Sequence, residues 1–194
     1  MIIEKPDPVL QLEFLENAVS VWKWAVFPLH KVKRNYDGRH VWCGCKLGLQ
    51  CPRVGKCPRV KWGDRANYIQ AGQFKKWLDD GFTNFGIHLG WSNLIVIDID
   101  PRNGGNETWW ALCQRENFLP TDFVETGSGG RHFYFLNNSR ADALEGLPSP
   151  SGRPLTNISL GPGCELLSGQ HFIVAPYSVH KSGSIYKPCF EIGF

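Results

Sequence analysis

The sequence predicts a mixed α+β domain, and three observations carry that expectation. Helical stretches and short apolar strands mix along the chain without the regular strand–helix–strand rhythm of a doubly wound sheet. At 194 residues and 21.9 kDa the chain suits one domain, or one domain with a small insert. Hydrophobic residues make up 42% and charged residues 20%, a globular mix that excludes disordered and fibrous classes.

The elements follow in order. Asp7 can cap a helix running from Pro8 to about Trp24, with Leu10, Phe14, Leu15, Ala18 and Val21 as its apolar face. A strand at Ala25 to Pro28 comes next, then a loop-like segment at 31–65. A helix from Gly72 to Asp80 presents Phe74, Trp77 and Leu78, and a strand spans Phe85 to Leu89. Leu94 to Asp100 is the most hydrophobic strand and ends in two aspartates. A helix from Asn106 to Glu116 leads to strands at Phe123 to Thr126 and His132 to Leu136. Residues 137–162, rich in Pro, Gly, Ser and Asn, read as irregular. The last strands are expected at Cys164 to Leu167 and Phe172 to Ala175. No apolar run is long enough for a membrane helix, and the first eleven residues lack the basic-then-apolar pattern of a secretory signal.

The net charge of +3 conceals a local asymmetry. Segment 31–65 carries ten basic residues against Asp37 and Asp64, an excess of eight positive charges. The same segment holds Cys43, Cys45, Cys51 and Cys57, while Cys113, Cys164 and Cys189 are scattered. Without a secretory signal, such clustering reads as a metal site in a reducing, cytoplasmic setting rather than a disulfide frame. Four thiolates suffice for a tetrahedral structural Zn²⁺; the alternative is free cysteines in a loop. Among the basic residues, Lys56, Arg59 and Lys61 can attract template phosphates, and Trp42 and Trp62 can stack on unpaired bases. Otherwise the charges form a solvated face and the Trp pair packs in a core.

Three further pieces can do chemistry. Alternation along a strand points Asp98 and Asp100 the same way, and two carboxylates beside an apolar run call for a positive partner. A hard divalent cation, Mg²⁺ or Mn²⁺, answers that need while leaving sites for phosphates; a solvated strand end is the alternative. Thr126 to His132 forms a turn in which Gly129 and Gly130 permit an amide anion nest, with Ser128, Arg131 and His132 as added donors. A plain flexible hairpin is equally consistent with it. Glu165 is one more acid on an apolar strand, and His180 and Lys181 offer phosphate contacts.

Taken in order, the apolar strand ending in Asp98-Ile-Asp100, the Ser128-Gly-Gly-Arg-His132 turn, and Glu165 followed by Val174 to Gly183 resemble the prim-pol family. These are the bifunctional primase/polymerases of the archaeo-eukaryotic primase superfamily. Phe27 to Leu29, Gly55 to Pro58 and Asn84 to Ile87 echo it too, so the resemblance runs from about residue 15 to 187. It implies one catalytic domain over 1–194, with an RRM-like antiparallel or mixed sheet packed by helices and a basic zinc-binding insertion at 31–65. Asp98, Asp100 and Glu165 would hold two catalytic Mg²⁺ or Mn²⁺ ions. His132, with Ser128, Gly129, Gly130, Arg131 and His180, would hold the incoming nucleotide. The partners implied are a single-stranded DNA template, NTPs or dNTPs and a helicase domain or replication partner of a plasmid, phage or mobile element. No membrane partner is implied. Two rival readings stand beside this one: a metal-dependent glycosyltransferase built on Asp98 and Asp100, and a non-catalytic module that only grips nucleotide or DNA.

Overall fold

Asp7 opens the first helix by accepting hydrogen bonds from the amides of Val9 (2.8 Å) and Leu10 (3.3 Å), and Pro8 takes the first helical position. The structure, a computed structural model, describes residues 5–35, 38–117, 122–137 and 157–189. Helix α1 spans Pro8–Ser20, a turn shorter than expected. Lys23 swings the chain away with φ +60°, and Trp22 and Trp24 then meet with ring centroids 4.8 Å apart. Its inward face is Gln11, Phe14, Leu15 and Ala18. Leu10 and Val21, expected inside, are exposed. Gln11 takes the core position because its amide donates to the Thr83 carbonyl (3.0 Å) and the Tyr177 carbonyl (3.4 Å), which satisfies a buried polar group.

The strands, in chain order, are β1 (Ala25–Pro28), β2 (Val32–Arg34), β3 (Val41–Cys43), β4 (Phe85–His88), β5 (Leu94–Ile99), β6 (Phe123–Glu125), β7 (Arg131–Leu136), β8 (Asn157–Gly161), β9 (Cys164–Leu167), β10 (Phe172–Val174) and β11 (Lys187–Cys189). Helix α2 (Phe74–Asp79) precedes β4, and α3 (Gly105–Glu116) follows β5. The strands build a three-stranded sheet, β1-β4-β10, a six-stranded sheet, β11-β6-β7-β5-β9-β8, and a ribbon, β2-β3. Every strand pairing among the described residues is antiparallel. The expected α+β class is what the chain adopts.

Four strands differ from expectation. The segment at 31–65 is not all loop, since β2 and β3 pair there as a ribbon. Residues 157–161, placed in an irregular stretch, form β8 by folding back on β9; 138–156 of that stretch, like Asp37, lie outside the described residues. β11 pairs with β6 although Pro188 sits within it, a residue tolerated on an edge strand because it need not donate there.

The six-stranded sheet has two unlike faces. Ile97, Ile99, Phe133 and Cys164 face α3, where Trp109 stacks on Phe133 at 4.9 Å. On the opposite face, Leu94 and Val96 are buried with Val26, Ile87 and Ile173, so the two sheets share a core. One alternation further along β5, that second face presents Asp98.

Candidate functional site

Register places the site. Asp98 lies directly opposite His132 on β7 and directly opposite Glu165 on β9, so three polar side chains stand abreast on one sheet face. His132 is buried, and its Nε2 lies 3.5 Å from Asp98 Oδ1. Burial alone would raise the Asp98 pKa, but the His132 bond, the charge of His132 and that of Lys56 outweigh it and hold the carboxyl below its usual range. Asp100 ends the strand by capping a 3₁₀ turn at Pro101–Asn103. Its carboxylate accepts from Arg102 Nε and the second guanidinium nitrogen, both at 2.9 Å, and from Asn103 Nδ2 at 2.9 Å. The Arg102 bond lowers the Asp100 pKa most. Glu165 is exposed, with Asn157 Nδ2 at 3.4 Å from its Oε2.

Asp98, Asp100 and Glu165 line one cavity of about 560 Å³, together with Asn103, Ser159 and Gly163. Hard, acceptor-only oxygens suit Mg²⁺ or Mn²⁺, so the donor chemistry fits such ions. The three carboxylates do not stand at ligand spacing from one another, and Asp100 is turned onto Arg102.

A second cavity, of about 460 Å³, is lined by Arg102, Gly127, Ser128, His180, Lys181 and Ser182. Arg102 thus spans from the acidic site to a cationic one. His180 is buried, and a Cβ on Gly127 would fall 2.2 Å from the His180 Cβ, so only glycine lets the two loops meet. Ser182 completes the junction, its hydroxyl donating to the Gly127 carbonyl at 2.7 Å and its amide to His180 Nδ1 at 3.1 Å. Desolvation, reinforced by Lys56, Lys181, Arg102 and Arg34, drives the His180 pKa down from 6.5 to about 4. At neutral pH the imidazole is therefore uncharged.

A pH dependence follows from that shift. As pH falls, the unfolded chain takes up the His180 proton near pH 6.5, whereas the folded protein takes it up only near 4. Stability therefore falls between those values, by at most roughly 3 kcal/mol, and the depressed pKa values of Asp98 and Asp100 extend the loss to lower pH. Urea unfolding at pH 7 and pH 4.5 should show the drop, and His180→Asn should flatten it; an unchanged slope in the variant would remove His180 as its source.

The predicted glycine turn behaves differently from expectation. The Gly129 amide donates to the Thr126 carbonyl (2.9 Å) and the Gly130 amide to Thr126 Oγ1 (3.0 Å), so both are committed inside the hairpin rather than open to an anion. Ser128 lines the cationic cavity. Arg131, being next to His132 on a strand, projects to the other face, where its guanidinium lies 5.3 Å from the Phe123 ring centroid. The structure does not bring it to the carboxylates. Trp62 packs among Phe27, His88 and Phe172, at 5.2 to 6.4 Å between ring centroids. Arg59 lies over the Phe82 ring at 4.2 Å, while Lys61 is exposed.

The four clustered cysteines converge. Cys43 closes β3, Cys45 and Cys51 flank a 3₁₀ turn at Gly48–Gln50, and Cys57 returns beside β1, its carbonyl accepting from the His30 amide at 2.8 Å. All four sulfurs lie within 4.8 Å of one another, and no other such group occurs among the described residues. Sulfurs around a tetrahedral Zn²⁺ stand about 3.8 Å apart, so the cluster can hold a metal ion with small adjustment. Burial pushes Cys43 up to about 11. Burial acts the same way on Cys45, but hydrogen bonds from Cys43, Cys51 and the amides of Leu47 and Gly48 prevail and bring it to about 7.

Sequence reasoning gave no site role to Arg102 or Asn84. Arg102 sits two residues beyond Asp100, in the turn that follows the acidic strand end. Asn84, fully buried, donates to the carbonyls of Gly55 (3.0 Å) and Val179 (2.7 Å) and accepts from the Val179 amide (3.2 Å). It ties the cysteine segment to the loop that carries His180. Asn84→Ala leaves those buried groups unpaired and is expected to cost about 2–4 kcal/mol, read as a lower urea midpoint with unchanged m-value; a loss below about 1 kcal/mol would refute the tie.

An acidic cavity thus adjoins a cationic one on an antiparallel sheet backed by α3. The chain belongs to the bifunctional DNA primase/polymerase N-terminal domain family, whose model matches residues 16–191, nearly its whole length. No curated protein matches the chain. No helix among the described residues is long and apolar enough to cross a membrane.

Proposed function

We propose that this chain performs template-directed nucleotidyl transfer on single-stranded DNA, as a primase, a polymerase or both, within a single catalytic domain over residues 1–194. The observation that carries the reading is the alignment of Asp98, His132 and Glu165 on adjacent strands, with Asp100 and Arg102 leading into the cationic cavity. The strand order β6-β7-β5-β9, with α3 between β5 and β6, supports an RRM-like core. Asp98, Asp100 and Glu165 would hold Mg²⁺ or Mn²⁺. Such ions, when bound, lower the pKa of an attacking 3′-hydroxyl and stabilise charge on the departing pyrophosphate.

The chain's own residues do the rest. His132 orients Asp98 from the adjacent strand. Arg102, Lys181 and Ser128 bind the triphosphate, with His180 as an uncharged donor or acceptor between them. Arg131 is not needed for this, because it faces the other side of the sheet. The four cysteines hold a structural Zn²⁺, and basic residues of segment 31–65 such as Lys61 draw in template phosphates. A plasmid, phage or mobile element that replicates with a helicase is the setting that suits such a domain. Glycosyl transfer leaves the thiol cluster unexplained.

The test is incubation with unprimed single-stranded DNA, labelled nucleotides and Mg²⁺ or Mn²⁺. New labelled oligomers are expected. Extension only when a primer is supplied would restrict the activity to polymerisation, and metal-dependent nucleotide binding without product on either template would establish a binding module instead.

A further inference from the structure

The cysteine segment does not stand apart from the catalytic face. After Cys51 the chain turns, with the Lys56 amide donating to the Arg53 carbonyl at 2.9 Å, and then runs against β1 through a Leu29–Pro58 bridge. Gly55 sits at the joint. Its carbonyl accepts from buried Asn84, its φ is +76°, and a Cβ there would fall 2.7 Å from a Val32 methyl and 3.2 Å from the Val179 carbonyl. That close approach, open only to glycine, clamps the segment onto the His180 loop. Lys56 emerges from the clamp between Gly55 and the thiol ligand Cys57. Its ammonium lies where the charges of Asp98, Asp100, Arg102 and Lys181 all act on it.

Lys56, Arg59 and Lys61 are all exposed, but Arg59 lies over the Phe82 ring and Lys61 is further along the chain from the Gly55 joint that Lys56 directly follows. Sequence reasoning groups Lys56 with them as template contacts. The Gly55 joint instead holds the chain at Lys56 against Val179, the neighbour of His180 in the cationic cavity, and the charges of Asp98 and Asp100 reach Lys56 as well, a setting that suits a phosphate ligand.

We propose that Lys56 binds the phosphates of the incoming nucleoside triphosphate, and that metal in the four-cysteine cluster sets nucleotide affinity by holding Lys56 in place through Cys57. This rests on the nucleotidyl-transfer reading. The cluster is then part of the substrate pocket, and Asn84 is the positioning residue that joins the two. Lys56 acts at ground-state binding, so its loss raises KM more than it lowers kcat.

Equilibrium binding of a fluorescent, non-hydrolysable nucleoside triphosphate in excess Mg²⁺ tests this without turnover. Lys56→Ala should weaken binding roughly ten- to a hundredfold, Lys56→Arg should recover part of the loss, and Lys46→Ala, a basic change in the same segment, should do nothing. A zinc-selective chelator should weaken binding by the wild type by a comparable factor and add little to Lys56→Ala, with circular dichroism showing that the sheets persist. Wild-type affinity in Lys56→Ala, a loss confined to single-stranded DNA binding, or equal chelator effects on both proteins would each overturn the inference alone. A wild type that binds no triphosphate would overturn the function and the inference together.

Discussion

Asp98→Asn is expected to abolish strand synthesis, by on the order of a thousandfold, while changing stability by no more than about 1 kcal/mol. The two effects separate because of where Asp98 lies. It is the carboxylate that faces both His132 and Glu165 across the sheet, so any cation serving this site loses its central ligand. Its removal leaves the rest of the local structure paired. Arg102 stays on Asp100, and the strand register depends on Leu94, Val96 and Ile99, which are buried in the cores. The asparagine keeps the shape and removes the charge. Steady-state synthesis with Mg²⁺ and with Mn²⁺, beside urea unfolding of both proteins, checks the pair of outcomes. Activity within about tenfold of wild type would remove Asp98 from the metal site, and a large loss of stability would make the activity result uninformative about chemistry.

The second large effect is expected at the cysteines. Elemental analysis should find about one zinc per chain, absent from Cys51→Ala. Loss of the metal should lower apparent stability by at least about 3 kcal/mol, because binding energy at a structural site is folding energy. The geometry explains why so few residues matter so much. Among its described residues, segment 31–65 has the β2-β3 ribbon and short turns of its own, and like charges crowd it, so four metal-bound thiolates would be its principal cross-link. Zinc affinity should rise with pH, since burial holds Cys43 protonated up to about 11 and its proton must leave for the metal to bind. Limited proteolysis should cut between residues 43 and 57 in the stripped protein first. A folded, protease-resistant protein without zinc would refute the assignment.

Much of this is legible in the sequence because the signals are local. Asp7 and Pro8 announce a helix start, the apolar run from Leu94 announces a strand, and period-two alternation along it sets Ile97 and Ile99 against Asp98. The cysteine spacing gathers four thiols in one short segment. Where local signals mislead, a long-range contact has replaced them. Gln11 reads as polar but is buried, since the carbonyls that hold it come from residues 83 and 177. Trp62 reads equally as a stacking platform or a core residue, and it is the aromatic cluster with Phe27 on β1 and Phe172 on β10 that decides for the core.

The sequence by itself determined the class of fold, the approximate place of α1 to α3 and of seven of the strands, the acidic strand end, the thiol set and the resemblance that the family match bears out. Apart from the resemblance, which rests on motifs spread along the chain, each depends on residues close in sequence. Only the tertiary structure decided which side chains meet. Register between β5, β7 and β9 put His132 and Glu165 abreast of Asp98 and sent Arg131 to the far face, because a step of one residue along a strand reverses the face. Asn84 and Gly55 brought Lys56 toward the same carboxylates from across the fold. Strand register and loop clamping are settled by contacts between residues 29 to 95 positions apart, and those contacts leave no mark in the local pattern.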